Sequence, residues 1–162
     1  MTPMGDSIDR TIQEHIDQVG WSVTAVGADR LVPQFAYTVG FTEHNLPELL
    51  ISGLPFEVMH GVLNTAGRLA YDGARWRHGQ HVAEIIVGFD AVIVDGAPLP
   101  GMRPGTAYAR YGPARVRIQQ IIWPDPAGRF PWQPGYAYPP QVQLLIDEPP
   151  ADPFGLTRRR SQ

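Results

Sequence analysis

The 162-residue chain contains no cysteine and no lysine. Without thiols there can be no disulfide, no thiolate nucleophile and no thiolate metal site. Without an amine that can lose its proton, Schiff-base and catalytic-lysine chemistry are excluded as well. All 13 basic side chains are therefore arginines, and with 17 Gly and 17 Pro this usage is that expected of a GC-rich bacterial genome. No run approaches the roughly 20 apolar residues that a membrane span needs. The first ten residues lack an apolar stretch of the secretory type, so a cytoplasmic location is expected. A net charge of −3 does not supply the basic surface of a general nucleic-acid binder. The one basic run, Arg158-Arg159-Arg160, reads as a solvated chain end. There is no G-x-S-x-G elbow, phosphate loop or dinucleotide fingerprint; Gly101-Met-Arg-Pro-Gly105 comes nearest but lacks the following Lys and Ser/Thr.

What is present is the composition of a folded domain: 43% hydrophobic and 18% charged, in a length that fits one core. Asp6 or Ser7 can cap a first helix, Ile8, Ile12, Ile16 and Val19 form its apolar stripe, and Gly20 can end it. Trp21–Val26 and Gln34–Phe41 read as a hairpin around the turn Gly27–Arg30, and Leu49–Ser52 as a strand buried on both faces. Pro55 opens a second helix whose stripe is Phe56, Met59, Leu63, Ala66 and Ala70. Val82–Val87 and Phe89–Val94 follow as strands around Gly88, then a Pro/Gly loop from Pro98 to Pro104 and a short helix over Thr106–Tyr111. Ala114–Trp123 is the longest strand candidate and Gln141–Ile146 the last. The expected fold is α+β: a mostly antiparallel sheet with two main helices packed on it. Residues 1–148 form the single domain, and 149–162 are a flexible Pro/Arg-rich C-terminal tail.

Several blocks together, Gly20-Trp21, Phe35-Ala-Tyr-Thr-Val-Gly-Phe, Leu46-Pro-Glu-Leu with Gly53-Leu54, Gln120-Ile-Ile-Trp-Pro-Asp and Gly128-Arg-Phe-Pro-Trp132, resemble the bacterial domain-of-unknown-function 4262 family. The similarity runs in order from about Gly20 to Ile146. The resemblance implies no activity, cofactor or catalytic residue, and His78 and His81 fall where no histidines are expected from it.

Two segments are candidates for a site. Around the elbow between the second and third strands, Tyr37, Thr38, His44 and Glu48 supply a phenol, an imidazole and a carboxylate suited to acid–base work or ligand binding. The alternative makes Tyr37 core, His44 surface and Glu48 a turn cap. In the turn Trp123–Trp132, two indoles, a phenylalanine, Asp125 and Arg129 could line a pocket for a planar ligand, or the aromatic rings could lock one end of the sheet while Asp125 holds the turn by bonding backbone amides. Arg110, Arg115 and Arg117 flank the long strand and could hold an anion or be a solvated strand face. His78, His81 and Glu84 have a metal-site composition, but residues three apart on a strand face opposite ways, so an exposed histidine pair is expected and no metal. The leading expectation is a small molecule bound between elbow and turn. The alternatives are a non-catalytic protein-interaction or immunity-type accessory module, with a protein partner or homo-oligomer, and a flavin- or deazaflavin-binding split-barrel-like protein. No nucleic acid or membrane partner is expected.

Overall fold

A computed structural model describes residues 4–147 and 149. Three α-helices, one 3-10 turn and six strands occur in the order α1 (Met4–Val19), β1 (Ser22–Val26), β2 (Phe35–Val39), the 3-10 turn Phe41–His44, β3 (Glu48–Ser52), α2 (Phe56–Tyr71), β4 (His81–Ile86), β5 (Phe89–Asp95), α3 (Gly105–Tyr111) and β6 (Ile118–Ile122). The strands make one sheet in the order β1-β2-β3-β6-β5-β4. Every pairing is antiparallel except the central one, where β3 and β6 run parallel with Glu48 beside Ile118. The protein is thus a single α+β domain. Among the described residues β1 and β4 each pair with one strand only, so the hydrogen-bonded sheet they form is open and not a closed barrel.

Alternation along β2 explains the layering. Ala36 faces α2, whose Met59, Leu63 and Ala66 cover it together with Leu49, Ile51, Ile93 and Ile121. Phe35, Tyr37 and Val39 face the other way, under Ile12 of α1, Ala107 of α3 and Met102 of the Pro/Gly loop. β2, β3 and β6 are buried along their whole length because both faces are covered. The α1 stripe is covered only in its middle: Ile12 is buried, whereas Ile8 is 50% and Val19 41% exposed. Asp6 and Ser7 lie inside α1 (Met4–Val19), so neither is its cap. Gly20 does end it, at φ 104, with its amide on the Ile16 carbonyl at 2.9 Å.

Two strand expectations are corrected. Of Ala114–Trp123, only Ile118–Ile122 pairs; upstream, Arg115 and Arg117 bond the elbow's carbonyls instead. Gln141–Ile146 is not a strand at all. β6 already has β3 and β5 as neighbours, so it has no free edge to offer a further strand. The returning segment lies over the sheet face and satisfies its backbone through glutamines. Gln120 accepts from the Ile146 amide at 2.8 Å and donates to the Leu144 carbonyl at 2.7 Å. Gln143 makes the equivalent pair with the Trp123 amide and carbonyl, both at 2.9 Å. The tail expected over 149–162 lies, apart from Pro149, outside the described residues.

Candidate functional site

The elbow is organised around Glu48. As the first residue of β3 it is 1% exposed, and it accepts five hydrogen bonds. The hydroxyls of Thr38 and Thr42 donate at 2.7 and 2.6 Å, and the Thr42, Gly40 and Phe41 amides at 2.8, 3.3 and 3.3 Å. Those amides are the free donors at the start of the 3-10 turn, where a carboxylate is the natural acceptor. Burial pushes the Glu48 carboxyl up, opposed first by Thr42 and then by Thr38 and Phe41. At the other end of the turn, Asn45 takes the left-handed conformation at φ 61, and Arg117 and Arg115 donate to the Asn45 and Thr42 carbonyls at 2.5 and 3.4 Å. Glu43 accepts from the Tyr111 hydroxyl at 2.5 Å and lies 3.5 Å from Arg110 Nε. The Glu48 carboxylate and the Arg115 and Arg117 guanidinium groups together fix the elbow's shape.

The four elbow candidates therefore do not converge. Thr38 meets Glu48, but Tyr37 points to the opposite face, where its hydroxyl oxygen accepts from the Thr106 amide at 2.9 Å. His44 is exposed and its ring meets Tyr71 edge to face, with centroids 5.7 Å apart. No imidazole–carboxylate pair forms there.

The Trp123–Trp132 turn is held by Asp125, which is 1% exposed. Its Oδ1 accepts from the Ala127 and Arg129 amides at 2.9 and 2.8 Å, and Oδ2 from Ala137 at 2.9 Å. Trp123 is core, its indole N–H donating to the Ser52 carbonyl at 2.7 Å. Trp132 stacks on Phe130 at 5.2 Å, in the cluster of Val92, Val94 and Ile122. Burial acts to raise the Asp125 carboxyl, but the Arg129, Ala137 and Ala127 amides and the Arg129 charge outweigh it, and it lies below the usual 3.8. The folded state then releases a proton more readily than the unfolded chain, so Asp125 stabilises above its ordinary pKa and ceases to as pH falls through its depressed value. We expect the turn to loosen only below about pH 3.8, with tryptophan fluorescence reporting it; Asp125→Asn, which presents an N–H to one of those donors, should loosen the same signal at neutral pH.

The two segments do not share a cavity. β3 and β6 run parallel, so the elbow that leads into β3 and the turn that follows β6 lie at opposite ends of the sheet. Five residues along β6 separate those ends by roughly 16 Å. The metal candidates are also dispersed: His78 Nδ1 accepts the Asp95 amide at 2.9 Å, His81 Nδ1 lies 3.4 Å from Asp90, and Glu84 is exposed. Both histidines are half-buried, not an exposed pair, and among the described residues no three His, Asp or Glu groups converge.

The elbow end of the sheet does carry a cleft, of about 700 Å³. Asn45, Leu46 and Pro47 come to it from the elbow, Arg75 and Trp76 from the chain leaving α2, Asp95 from the end of β5, Tyr108 from α3, and Arg117 and Gln119 from the approach to and start of β6. Leu49, Val116 and Ile118 add apolar lining. Gln119 is 6% exposed and pairs in register with Asp95. Its amide nitrogen donates to Asp95 Oδ1 at 2.9 Å and to the Trp76 carbonyl at 2.8 Å. Sequence reasoning missed Arg75, Trp76, Asp95 and Gln119. The signal was Gln119-Gln120 inside an apolar strand: adjacent residues face opposite sides, so two buried amides required partners on both.

The geometry defines a single α+β domain with a mixed central sheet and an amphipathic cleft where its parallel strands begin. The family model described as domain of unknown function DUF4262 matches residues 15–137, and the chain belongs to that family. No curated protein and no solved structure matches. Among the described residues no helix is long and apolar enough to cross a membrane.

Proposed function

We propose that this domain binds a small molecule in the cleft at the N-terminal ends of β3 and β6. The observation behind the reading is the cleft's lining: its volume of about 700 Å³ is of the size usual for ligand sites, as are those of about 620 Å³ beside α1 and about 560 Å³ at Trp132, but this one joins two arginines, an aspartate and the Gln119 amide. Trp76 and Tyr108 give it flat apolar surface, and Arg75, Arg117, Asp95 and Gln119 give it a few polar groups on a rigid frame. The elbow half of the sequence-derived site is retained, through Asn45–Pro47; the Trp123–Trp132 half is not. Thr38 and Glu48 act beneath the site by shaping the elbow. The reading keeps the bacterial, cytoplasmic setting suggested by composition.

The test is a thermal-shift screen with a chemically mixed fragment set. Hits are expected to raise Tm in the wild type and in Trp132→Ala, and to lose their effect in Trp76→Ala and Arg117→Ala. Hits that survive both cleft substitutions but vanish in Trp132→Ala would move the site to the other end of the sheet.

A protein-partner reading has one observation of its own, the uncovered Ile8 and Val19 on α1. It predicts self-association or partner capture that is lost on Ile8→Asp, with fragment binding unchanged.

A further inference from the structure

We infer that the cleft selects a flat heterocycle that presents two adjacent N–H donors and carries an anionic group. The inference rests on the cleft being the ligand site and names the class of ligand that fits it.

Gln119 sets the first half of the argument. Both of its amide protons are engaged, by the Trp76 carbonyl and by Asp95 Oδ1. Neither partner has a proton to give, so the amide can only sit with its nitrogen toward them. The Gln119 carbonyl oxygen is thereby left to the cleft, where it accepts from no group among the described residues. That oxygen is not closed off from water, so a donor on a ligand would take the place of solvent there. Asp95 supplies the second acceptor. Its Oδ1 is taken by Gln119, while Oδ2 has no partner among the described residues. The side-chain amide and the carboxylate are tied by one hydrogen bond, and the two oxygens the pair has left are both acceptors. Their complement is a donor–donor edge, such as the ring N–H and neighbouring amino group of a guanine-type base.

The rest of the lining separates that class from a simple amidine, which would offer the same two donors. An amidinium is a cation, and the cleft holds two guanidinium groups against one carboxylate. Arg117 uses one nitrogen on the Asn45 carbonyl, and Arg75 uses one on the Ala70 and Ala74 carbonyls. Each retains N–H groups for an anion. Trp76 and Tyr108 supply the flat surfaces on which a ring can lie.

The probes are guanosine 5′-monophosphate, adenosine 5′-monophosphate and guanosine, measured by calorimetry and thermal shift on the full chain. The two nucleotides match in charge and size, but only the first has the donor–donor edge. It is expected to bind at least tenfold more tightly than its adenine counterpart, and more tightly than guanosine. Asp95→Asn replaces one acceptor with a donor at an exposed position. It is expected to leave Tm of the free protein unchanged and to remove the guanine preference; Arg117→Ala should weaken both nucleotides equally. Equal binding of the two nucleotides, or a guanine preference that survives Asp95→Asn, overturns the inference and leaves the cleft as a ligand site. No nucleotide binding beside cleft-dependent fragment hits does the same. If neither nucleotides nor fragments respond, the inference and the reading beneath it both fall.

Discussion

Glu48→Ala is expected to bring the domain to the edge of unfolding. The substitution leaves the Gly40, Phe41 and Thr42 amides and the Thr38 and Thr42 hydroxyls without their acceptor in a site closed to water. The hydroxyls can turn elsewhere; the amides cannot. At about 1–3 kcal/mol for each stranded buried donor, a loss of about 4 kcal/mol or more is expected. That is a large part of the roughly 5–15 kcal/mol by which domains of this size are stable. Glu48→Gln keeps one acceptor oxygen but turns an NH₂ toward groups that are themselves donors, so a smaller loss of about 2 kcal/mol is expected. Urea unfolding of the three proteins measures the series, and a Glu48→Ala protein within 1 kcal/mol of wild type, about one pair's worth, would show that the network contributes little.

The same pair reports on pH. Burial raises the Glu48 carboxyl above its ordinary 4.5. Between that value and the folded one, the native state holds a proton that the unfolded chain has lost. Stability from Glu48 is thus fully present below 4.5 and declines as pH rises through the folded pKa. The advantage of wild type over Glu48→Gln should therefore shrink as pH rises through that window.

Glu48 also marks what the sequence could convey. Pro47 and the apolar run after it made Leu49–Ser52 legible as a strand, and the carboxylate was legible as a possible turn cap. Whether it faced solvent beside His44 or lay under the elbow depended on Thr42 and the backbone of 40–42, which no periodicity records. α2 was legible because Pro55 fixes its start and Met59, Leu63 and Ala66 its buried face. The β1–β2 hairpin was legible for a similar local reason: alternation either side of a Gly/Asp turn. The errors came where partners distant in sequence decide the outcome. Strand-like composition at Gln141–Ile146 could not show that β6 had no edge left. Nothing in the elbow or the Trp123–Trp132 turn discloses that β3 and β6 pair in parallel, and that pairing alone sends the two segments to opposite ends. The cleft was hidden for the same reason, since Trp76, Asp95, Tyr108 and Gln119 meet only once the sheet is assembled.

Gly53→Ala is expected to detach the C-terminal segment from that sheet. Gly53 closes β3 at φ 90, a conformation that side chains resist, and its amide donates to the Gln34 carbonyl at 2.9 Å. An added Cβ would overlap the Val142 carbonyl oxygen and press on the Trp123 ring at 3.1 Å. The first neighbour is backbone, so no rotamer change relieves the overlap. Either Gly53 moves, breaking its bond to Gln34, or Val142 lifts away. The second path strains the adjacent Gln143, which bonds both the amide and the carbonyl of Trp123 and also the Tyr136 hydroxyl at 3.1 Å. Backbone strain of about 1–2 kcal/mol combined with these losses gives an expected destabilisation of about 3–5 kcal/mol. Its signature is local as well as global. Limited proteolysis should cut between residues 133 and 147 before the sheet is attacked, because that stretch is anchored by side-chain amides and not by a strand ladder. Uniform cleavage along the chain, or a Tm equal to wild type, would contradict this account of how the segment is held. A ligand cleft at the far end of β3 and β6 should keep its fragment response in Gly53→Ala for as long as the sheet stays folded, which sets the two ends of the domain apart experimentally.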